Sequence, residues 1–204
     1  MANINVNFWD ERYSSSEYIY GTEPNLFFRE CLDSFLPGGR ILLPGEGEGR
    51  NSVYAAKLGW IVDAFDQSRT GQSKALKLAI QYNVSINYSV IDLKNFDPPK
   101  NYYDLAAIIF VHLVSEMRIT FHKKIIDSIK KGGKIIIELF SKNQFGKNSG
   151  GPHDLNMLCS VDEIRNDFKE LRILLLEEKI IHLDESEKHR GEASVIRFIG
   201  EKIT

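Results

Sequence analysis

An α/β fold with a mostly parallel, doubly wound sheet is the architecture this sequence predicts. Three observations carry that expectation. Short apolar runs alternate with amphipathic stretches along most of the chain. The first apolar run stops at Gly45-x-Gly47-x-Gly49, glycines spaced by two and followed by a helical pattern. The second and third runs each end on an acid, Asp66 and Asp92.

The elements follow in order. Arg40 to Leu43 reads as the first strand, and Asn51 to Leu58 as a helix stopped by Gly59. Ile61 to Phe65 is the second strand. The next helix runs from about Gly71 to Gln81, with Ala75, Leu76, Leu78 and Ala79 on one stripe. Ile86 to Ile91 is the third strand. Tyr103 to Val111 is the fourth, apolar almost throughout, as befits a strand covered on both faces. Ser115 to Lys130 reads as a helix with Phe121, Ile125, Ile126 and Ile129 inward, ended by Lys131-Gly132-Gly133. Lys134 to Phe140 is the fifth strand and Val161 to Phe168 a short helix. Leu171 to Leu183 and Ser194 to Ile203 form two strands joined by a charged turn, an antiparallel hairpin at the sheet edge. The order is βαβαβ(α)βαβαββ, seven strands with helices on both faces. A helical segment, roughly Asn7 to Phe35, precedes it. The whole reads as a single domain, with a helical lid over 1–36 and an α/β core over 37–204. The polar stretch Ser141 to Pro152 is a loop at the C-terminal strand edge, where such sheets bind ligands.

Composition narrows the function classes. The chain has 204 residues, 43% apolar and 26% charged, a globular balance for one domain with a sizeable core. Its net charge of -2, without a basic block, argues against a nucleic-acid partner. Met1 to Tyr13 lacks a secretory pattern, and the longest apolar run, Leu105 to Val114, is too short to span a bilayer. A cytoplasmic protein without a membrane partner is expected, as monomer or homodimer. Cys31 and Cys159 are far apart and read as buried free thiols, and no metal-ligand spacing is evident.

Glycines at 45, 47 and 49 let the backbone approach a ligand closely. Glu46 and Glu48 sit where a pyrophosphate would have to lie. A like charge about 4 Å away costs roughly 4 kcal/mol at an effective dielectric near 20. The loop therefore suits a ligand without phosphate and with positive charge. Asp66, about 20 residues beyond the loop, is placed to accept hydrogen bonds from ribose hydroxyls; a turn or cap role is the plainer alternative. Asp92 could face an adenine amino group or simply be a solvated loop acid.

With these residues in place, the chain resembles the class I S-adenosylmethionine (SAM)-dependent methyltransferases over essentially its whole length. Gly49-Arg50-Asn51-Ser52-Val53-Tyr54-Ala55-Ala56, then Gly59 and Asp66, resembles the tellurite-resistance and thiopurine-type small-molecule branch. So does the entry segment Phe8-Trp9-Asp10-Glu11-Arg12-Tyr13 with Tyr20-Gly21-Thr22-Glu23-Pro24-Asn25. The resemblance implies a Rossmann-like sheet, SAM as cofactor with S-adenosylhomocysteine as product, and an entry segment folded over the cofactor. Trp9, Tyr20, Gly21, Asn25, Gly45, Glu46, Gly47, Asn51, Asp66, Gln67, Asp92, Leu93 and Phe110 are the expected cofactor-binding residues. Trp9, Tyr13 and Tyr20 are expected to form a lid, or to pack the N-terminal helix on the domain. One position departs from the family pattern: Leu43 stands where an acid usually precedes the first glycine, so that either Glu46 or Glu48 substitutes or backbone groups hold the methionine moiety.

Methyl transfer needs chiefly in-line positioning. A thiolate or chalcogen oxyanion needs little base, whereas oxygen or nitrogen nucleophiles call for a proton acceptor such as His. His112, His189 and Arg190 are the candidate substrate-facing catalytic residues. The plainer readings are a loop-ordering role for His112 and a solvated hairpin turn for His189 and Arg190. His153 and His182 read as structural or exposed. Arg118 reads as a surface ion pair with Glu116 or Asp127, or as an attractor of anionic substrate. Phe110-Val111-His112-Leu113 replaces the Asn/Asp-Pro-Pro-aromatic tetrad of amino-base and protein methyltransferases. The expectation is a methyltransferase acting on a small molecule. A non-catalytic SAM- or nucleotide-binding sensor or partner module is the alternative, and the two glutamates disfavour an NAD-dependent oxidoreductase.

Overall fold

The computed structural model describes residues 6–35 and 38–203. The outermost residues of the expected lid and core (1–5, 36, 37 and 204) lie outside the described residues. The strands are β1 (Arg40–Pro44), β2 (Ile61–Asp66), β3 (Asn87–Val90), β4 (Tyr103–Ile109), β5 (Ile129–Phe140), β6 (Arg172–Ser186) and β7 (His189–Glu201). The helices are α1 (Val6–Arg12), α2 (Leu26–Ser34), α3 (Arg50–Lys57), α4 (Arg69–Gln81), α5 (Ser115–Ser128) and α6 (Val161–Asp167). The strands form one sheet in the order β3-β2-β1-β4-β5-β7-β6. The first five pair in parallel; β7 is antiparallel to both β5 and β6. This is the expected doubly wound α/β sheet with a C-terminal hairpin.

Strand alternation builds two cores, because successive side chains leave a strand on opposite faces. Ile41 and Leu43 join Val62, Leu105 and Ile136 under α2, α3 and α4, with Phe28, Val53 and Leu78 as helix contributions. Leu42 faces the other way and joins Phe65, Ile108, Ile137 and Phe198 under α5 and α6, with Phe121, Ile125 and Phe168. Leu43 is 1% exposed within the first core. The position where the resemblance implied an acid is thus taken up by packing here.

Several boundaries differ from the sequence reading. Helix α5 ends at Ser128, and Ile129 opens β5 beside Tyr103 instead of closing the helix. The β4–β5 ladder shifts register between Tyr103 and Leu105, and the two glycines lie inside β5 instead of ending the helix. Leu76 is 38% exposed, not part of the inward stripe of α4. Between β3 and β4 the chain makes only a short 3-10 turn at Leu93–Asn95. The N-terminal segment holds two helices separated by an irregular stretch. β4 stops at Ile109, because Phe110 adopts φ 53 and breaks the ladder. The hairpin is the largest difference. β7 begins at His189, paired to Ser186, so the connection is only Glu187-Lys188. The charged residues on either side of it lie in the ladder, not in a solvated turn.

The order of strands places β1 beside β4, with connections leaving to opposite faces, and a ligand crevice opens at such a switch point. The loops after β1 and β4 touch: a Cβ on Gly45 would lie 2.7 Å from Val111 Cγ2. Gly49, the residue before α3, has φ 92, and a Cβ there would lie 2.6 Å from Ala75 Cβ on α4. The Gly49→Ala variant is therefore expected to lose about 1–3 kcal/mol through overpacking and backbone strain. Urea unfolding will show a lower midpoint at unchanged slope.

Candidate functional site

The crevice is a cavity of about 740 Å³. Its floor is the glycine loop. Gly45, Gly47 and Gly49 all have positive φ, which glycine adopts without Cβ strain. The loop is pinned from below by Tyr88, whose hydroxyl donates to the Gly47 carbonyl at 2.6 Å. Asp66 ends β2 at the cavity wall and is 8% exposed. Its two oxygens accept from the Gly47 and Ser68 backbone N–H groups at 3.1 and 2.9 Å. Burial raises its carboxyl to about 6, against those hydrogen bonds. Glu46 also lines the cavity. It accepts from the Ser52 N–H at 2.6 Å, near the start of α3, yet burial raises it to about 7. Among the described residues neither carboxylate has an ion-pair partner. The wall therefore offers acids that a cationic, hydroxylated ligand would complete.

Glu48 is different from the sequence reading. Its carboxylate is turned to the entry segment, accepting from the Ile19 and Tyr20 N–H groups and pairing with Lys74. It fastens the entry segment, and the residue still lines the cavity. The lid is fastened elsewhere too. Asp10 accepts from Ser68 Oγ at 2.6 Å and from the Thr70 N–H at 3.0 Å. Lys74 donates to the carbonyls of Ser15 and Glu17. Above the glycine loop Trp9 stacks on Tyr13, with centroids 5.5 Å apart, and Tyr20 lies against His189 at 4.7 Å. The Arg12 guanidinium sits 5.7 Å from the Trp9 and Tyr20 ring centres. The aromatic entry segment is thus both packing and cavity wall.

The opposite half of the cavity is built from the ends of β4, β5 and β7. Phe110 stacks on Phe140 at 4.6 Å and meets the His189 ring edge at 4.8 Å. The strained φ of Phe110 turns this ring into the wall. His112 stacks on Phe140 at 5.5 Å, and both its ring nitrogens are buried without hydrogen-bond partners among the described residues. Burial lowers it to about 4, so the ring is neutral. A rim loop from Ser141 to Cys159 closes this side. Gln144 donates to Ser149 Oγ and the Gly150 carbonyl, and Ser149 donates to the Glu192 carbonyl on β7. Gly150 and Gly151 pack where a Cβ would strike His189 and Phe140.

Of the sequence-predicted site residues, Trp9, Tyr20, Gly21, Gly45, Glu46, Gly47, Asn51, Asp66, Gln67, Leu93, Phe110, His112 and His189 line this one cavity. Three predicted residues are elsewhere. Asn25 is buried beneath the wall, where it caps α2 and donates to Glu138 and Glu185 at 2.8 and 3.0 Å. Asp92 caps the 3-10 turn through the Lys94 N–H, the plainer of its two readings. Arg190 is a correction. Alternation along β7 points it outward; its side chain is 72% exposed beside Asp184. Arg118 is also not on the surface: it is 4% exposed and paired with Asp167 at 2.8 Å.

The sequence reading missed a buried ionic cluster under the half of the cavity built from β4, β5 and β7. Glu138 on β5 is 1% exposed and pairs across the ladder with Arg197 on β7 at 2.6 Å. Glu185 pairs with Arg50 at 3.0 Å and with His189 Nδ1 at 3.1 Å. A signal was available: single charges inside Ile-Ile-Ile-Glu138-Leu-Phe and Val-Ile-Arg197-Phe-Ile are out of place in apolar strands unless they pair. Among the described residues no group of His, Cys, Asp and Glu could hold a metal ion, and no helix is long and apolar enough to cross a membrane.

A family model described as tellurite resistance protein TehB matches residues 26–200. No curated protein matches the chain. Among solved structures, TehB from Haemophilus influenzae superposes with a TM-score of 0.72 at 17% identity, covering 96% of this chain and 66% of that one. A SAM-dependent methyltransferase from Methanosarcina mazei gives 0.67 at 13% identity, covering 89% and 99%. The 1,6-didemethyltoxoflavin-N1-methyltransferase of Burkholderia thailandensis, solved with bound 1,6-didemethyltoxoflavin and S-adenosylhomocysteine, gives 0.64 at 14% identity, covering 87% and 76%. These neighbours share the fold of the class I SAM-dependent methyltransferases. The chain belongs to the TehB tellurite-resistance family.

Proposed function

We infer that this protein transfers the methyl group of SAM to a small molecule. One observation carries the reading: two carboxylates without counter-ions among the described residues, the buried Asp66 and the half-buried Glu46, flank a glycine loop in a cavity walled by aromatic side chains. A dinucleotide would bring phosphate against Glu46, whereas SAM brings a sulfonium, an ammonium and a ribose. In this reading Asp66 accepts from the ribose hydroxyls. Glu46, Gly45 and Gly47 hold the methionine end, and Leu93 and Gln67 flank the base. When bound, SAM supplies a methyl carbon whose bond to sulfur breaks, the electron pair staying on sulfur, as the acceptor lone pair forms the new bond. The chain's part is to align the acceptor, which Phe110, Phe140 and His112 wall in, and to exclude water with Trp9 and Tyr20. His189 is the residue to which an acceptor proton would go. The two buried free thiols, Cys31 and Cys159, support a reducing, cytoplasmic setting.

Calorimetry with SAM and S-adenosylhomocysteine tests the cofactor, and methyl-labelled SAM added to a metabolite extract identifies the acceptor. Failure to bind either nucleoside would overturn the reading. The raised carboxyls add a pH signature. Asp66 and Glu46 sit at about 6 and 7 in the folded protein, above the ordinary 3.8 and 4.5. Between about pH 4 and 7 the folded state holds protons that the unfolded chain has released, so their contribution to stability falls as pH rises through that window. A cationic ligand favours the ionised forms. Binding of SAM near pH 6.5 is therefore expected to release protons, and affinity to rise through pH 6–7. Titrations in two buffers of different ionisation enthalpy will read the release; buffer-independent heats would contradict it.

A further inference from the structure

We propose that Glu185 is a positioning residue, fixing the tautomer of His189 so that Nε2 of that ring is the base for the acceptor. This rests on the methyltransferase reading and concerns acceptors whose nucleophile carries a proton.

The geometry is a carboxylate held from three sides. Glu185 Oε2 accepts from Arg50 Nη2 at 3.0 Å and lies 3.1 Å from His189 Nδ1. Oε1 accepts from Asn25 Nδ2 at 3.0 Å. Burial pulls the Glu185 carboxyl upward, but His189 and Arg50 hold it down to about 2, so it is ionised. An ionised carboxylate only accepts, and the contact at Nδ1 therefore requires the proton on Nδ1. A neutral imidazole carries one ring proton, which leaves a lone pair on Nε2.

The ring is also held in place. Tyr20 and Phe110 stand 4.7 and 4.8 Å from it, and Phe140 meets it edge-on at 5.6 Å. A Cβ on Gly150 would lie 2.8 Å from its Cδ2, the carbon bonded to Nε2. Cδ2 thus lies against the rim loop, and both His189 and Gly150 line the cavity. The charged and titratable groups around the ring come from four elements: Arg12 and Tyr20 from the entry segment, Arg50 from α3, Glu185 from β6 and His112 from the loop after β4. Burial lowers the ring's affinity for protons, Glu185 raises it, and Arg50 and Arg12 lower it further. The ring is neutral near pH 7, as a base must be. In the reaction Nε2 takes the proton that the acceptor loses. The ring becomes an imidazolium whose new charge is balanced by the adjoining Glu185 carboxylate. Arg50 prevents that carboxylate from taking the proton itself.

Glu185 touches neither ligand in this scheme, so its test is a property of the His189 ring. Nitrogen-15 NMR of the wild-type protein, with and without S-adenosylhomocysteine, is expected to show His189 protonated at Nδ1 and bare at Nε2. In Glu185→Gln the single tautomer is expected to give way to a mixture, and the ring pKa to fall by about one unit or more as the adjacent charge is removed. Glu185→Asp should restore the Nδ1–H form in part. A wild-type ring protonated at Nε2 overturns the proposal even if the variant fails to fold. So does an unchanged tautomer in a folded Glu185→Gln protein, which is the result a merely structural Glu185 would give. Calorimetry on the same samples separates the two inferences: loss of SAM binding in the wild type would remove the methyltransferase reading while leaving the tautomer result standing by itself.

Discussion

Replacing Asp66 with Ala is expected to weaken SAM binding about 100-fold. The estimate comes from two charge-assisted hydrogen bonds to ribose hydroxyls at about 1.5 kcal/mol each, and 1.4 kcal/mol is a factor of ten. S-adenosylhomocysteine shares the ribose and should lose affinity by the same factor. That equality separates hydrogen bonding from attraction to the sulfonium, which only the substrate carries. Asp66 also accepts from the Gly47 and Ser68 N–H groups, so some stability will be lost as well. Binding is therefore to be measured by calorimetry at a temperature where circular dichroism shows the variant folded. An unchanged dissociation constant would remove Asp66 from the site.

The largest expected effect on stability is at Arg197. Its guanidinium pairs with Glu138 at 2.6 Å and lies 4.7 Å from the Phe27 ring centre. Arg197→Met keeps much of the packing on Phe27 but leaves a buried carboxylate without its cation. Breaking such a pair costs about 3–5 kcal/mol. For a chain of this length that lowers the melting temperature by roughly 10 °C. Burial already raises Glu138 above its ordinary range, with Arg197 opposing it. Without Arg197 the carboxyl will take a proton more readily, so the deficit should shrink as pH falls. Glu138→Gln combined with Arg197→Met should recover part of the loss at neutral pH. A single variant as stable as the wild type would show that the pair contributes nothing.

What the sequence made legible was local. The strands from Arg40 to Phe140 announce themselves by apolar runs, and Gly45-x-Gly47-x-Gly49 with Asp66 marks the ligand end of the sheet. The entry segment could be placed over the cavity because its aromatic residues and Asn25 resemble a family pattern. The rest depended on pairing between strands distant in sequence. His189 and Arg190 are neighbours in a charged stretch, and only the β6–β7 register puts one in the wall and the other in solvent. Glu185 lies 135 residues from Arg50 and Glu138 lies 59 from Arg197, so no local periodicity connects them. Glu48 and Glu46 are two residues apart in one loop, yet Lys74 and two backbone donors engage the Glu48 carboxylate, while Glu46 has no ion-pair partner among the described residues. Arg118 looked like a surface charge because its partner, Asp167, comes from a helix that joins α5 only in three dimensions.

The rim from Ser141 to Cys159 has polar fastenings that run within itself and to β6, β7, α5 and α6, and none among the described residues to the glycine loop or to Asp66. It nonetheless supplies one wall of the acceptor half. Its composition can drift over evolutionary time, by substitution or by insertion, while the grip on the nucleoside stays as it is. Descendants of one ancestral chain can in this way come to modify different metabolites. The rim is the segment in which a record of such divergence would accumulate fastest.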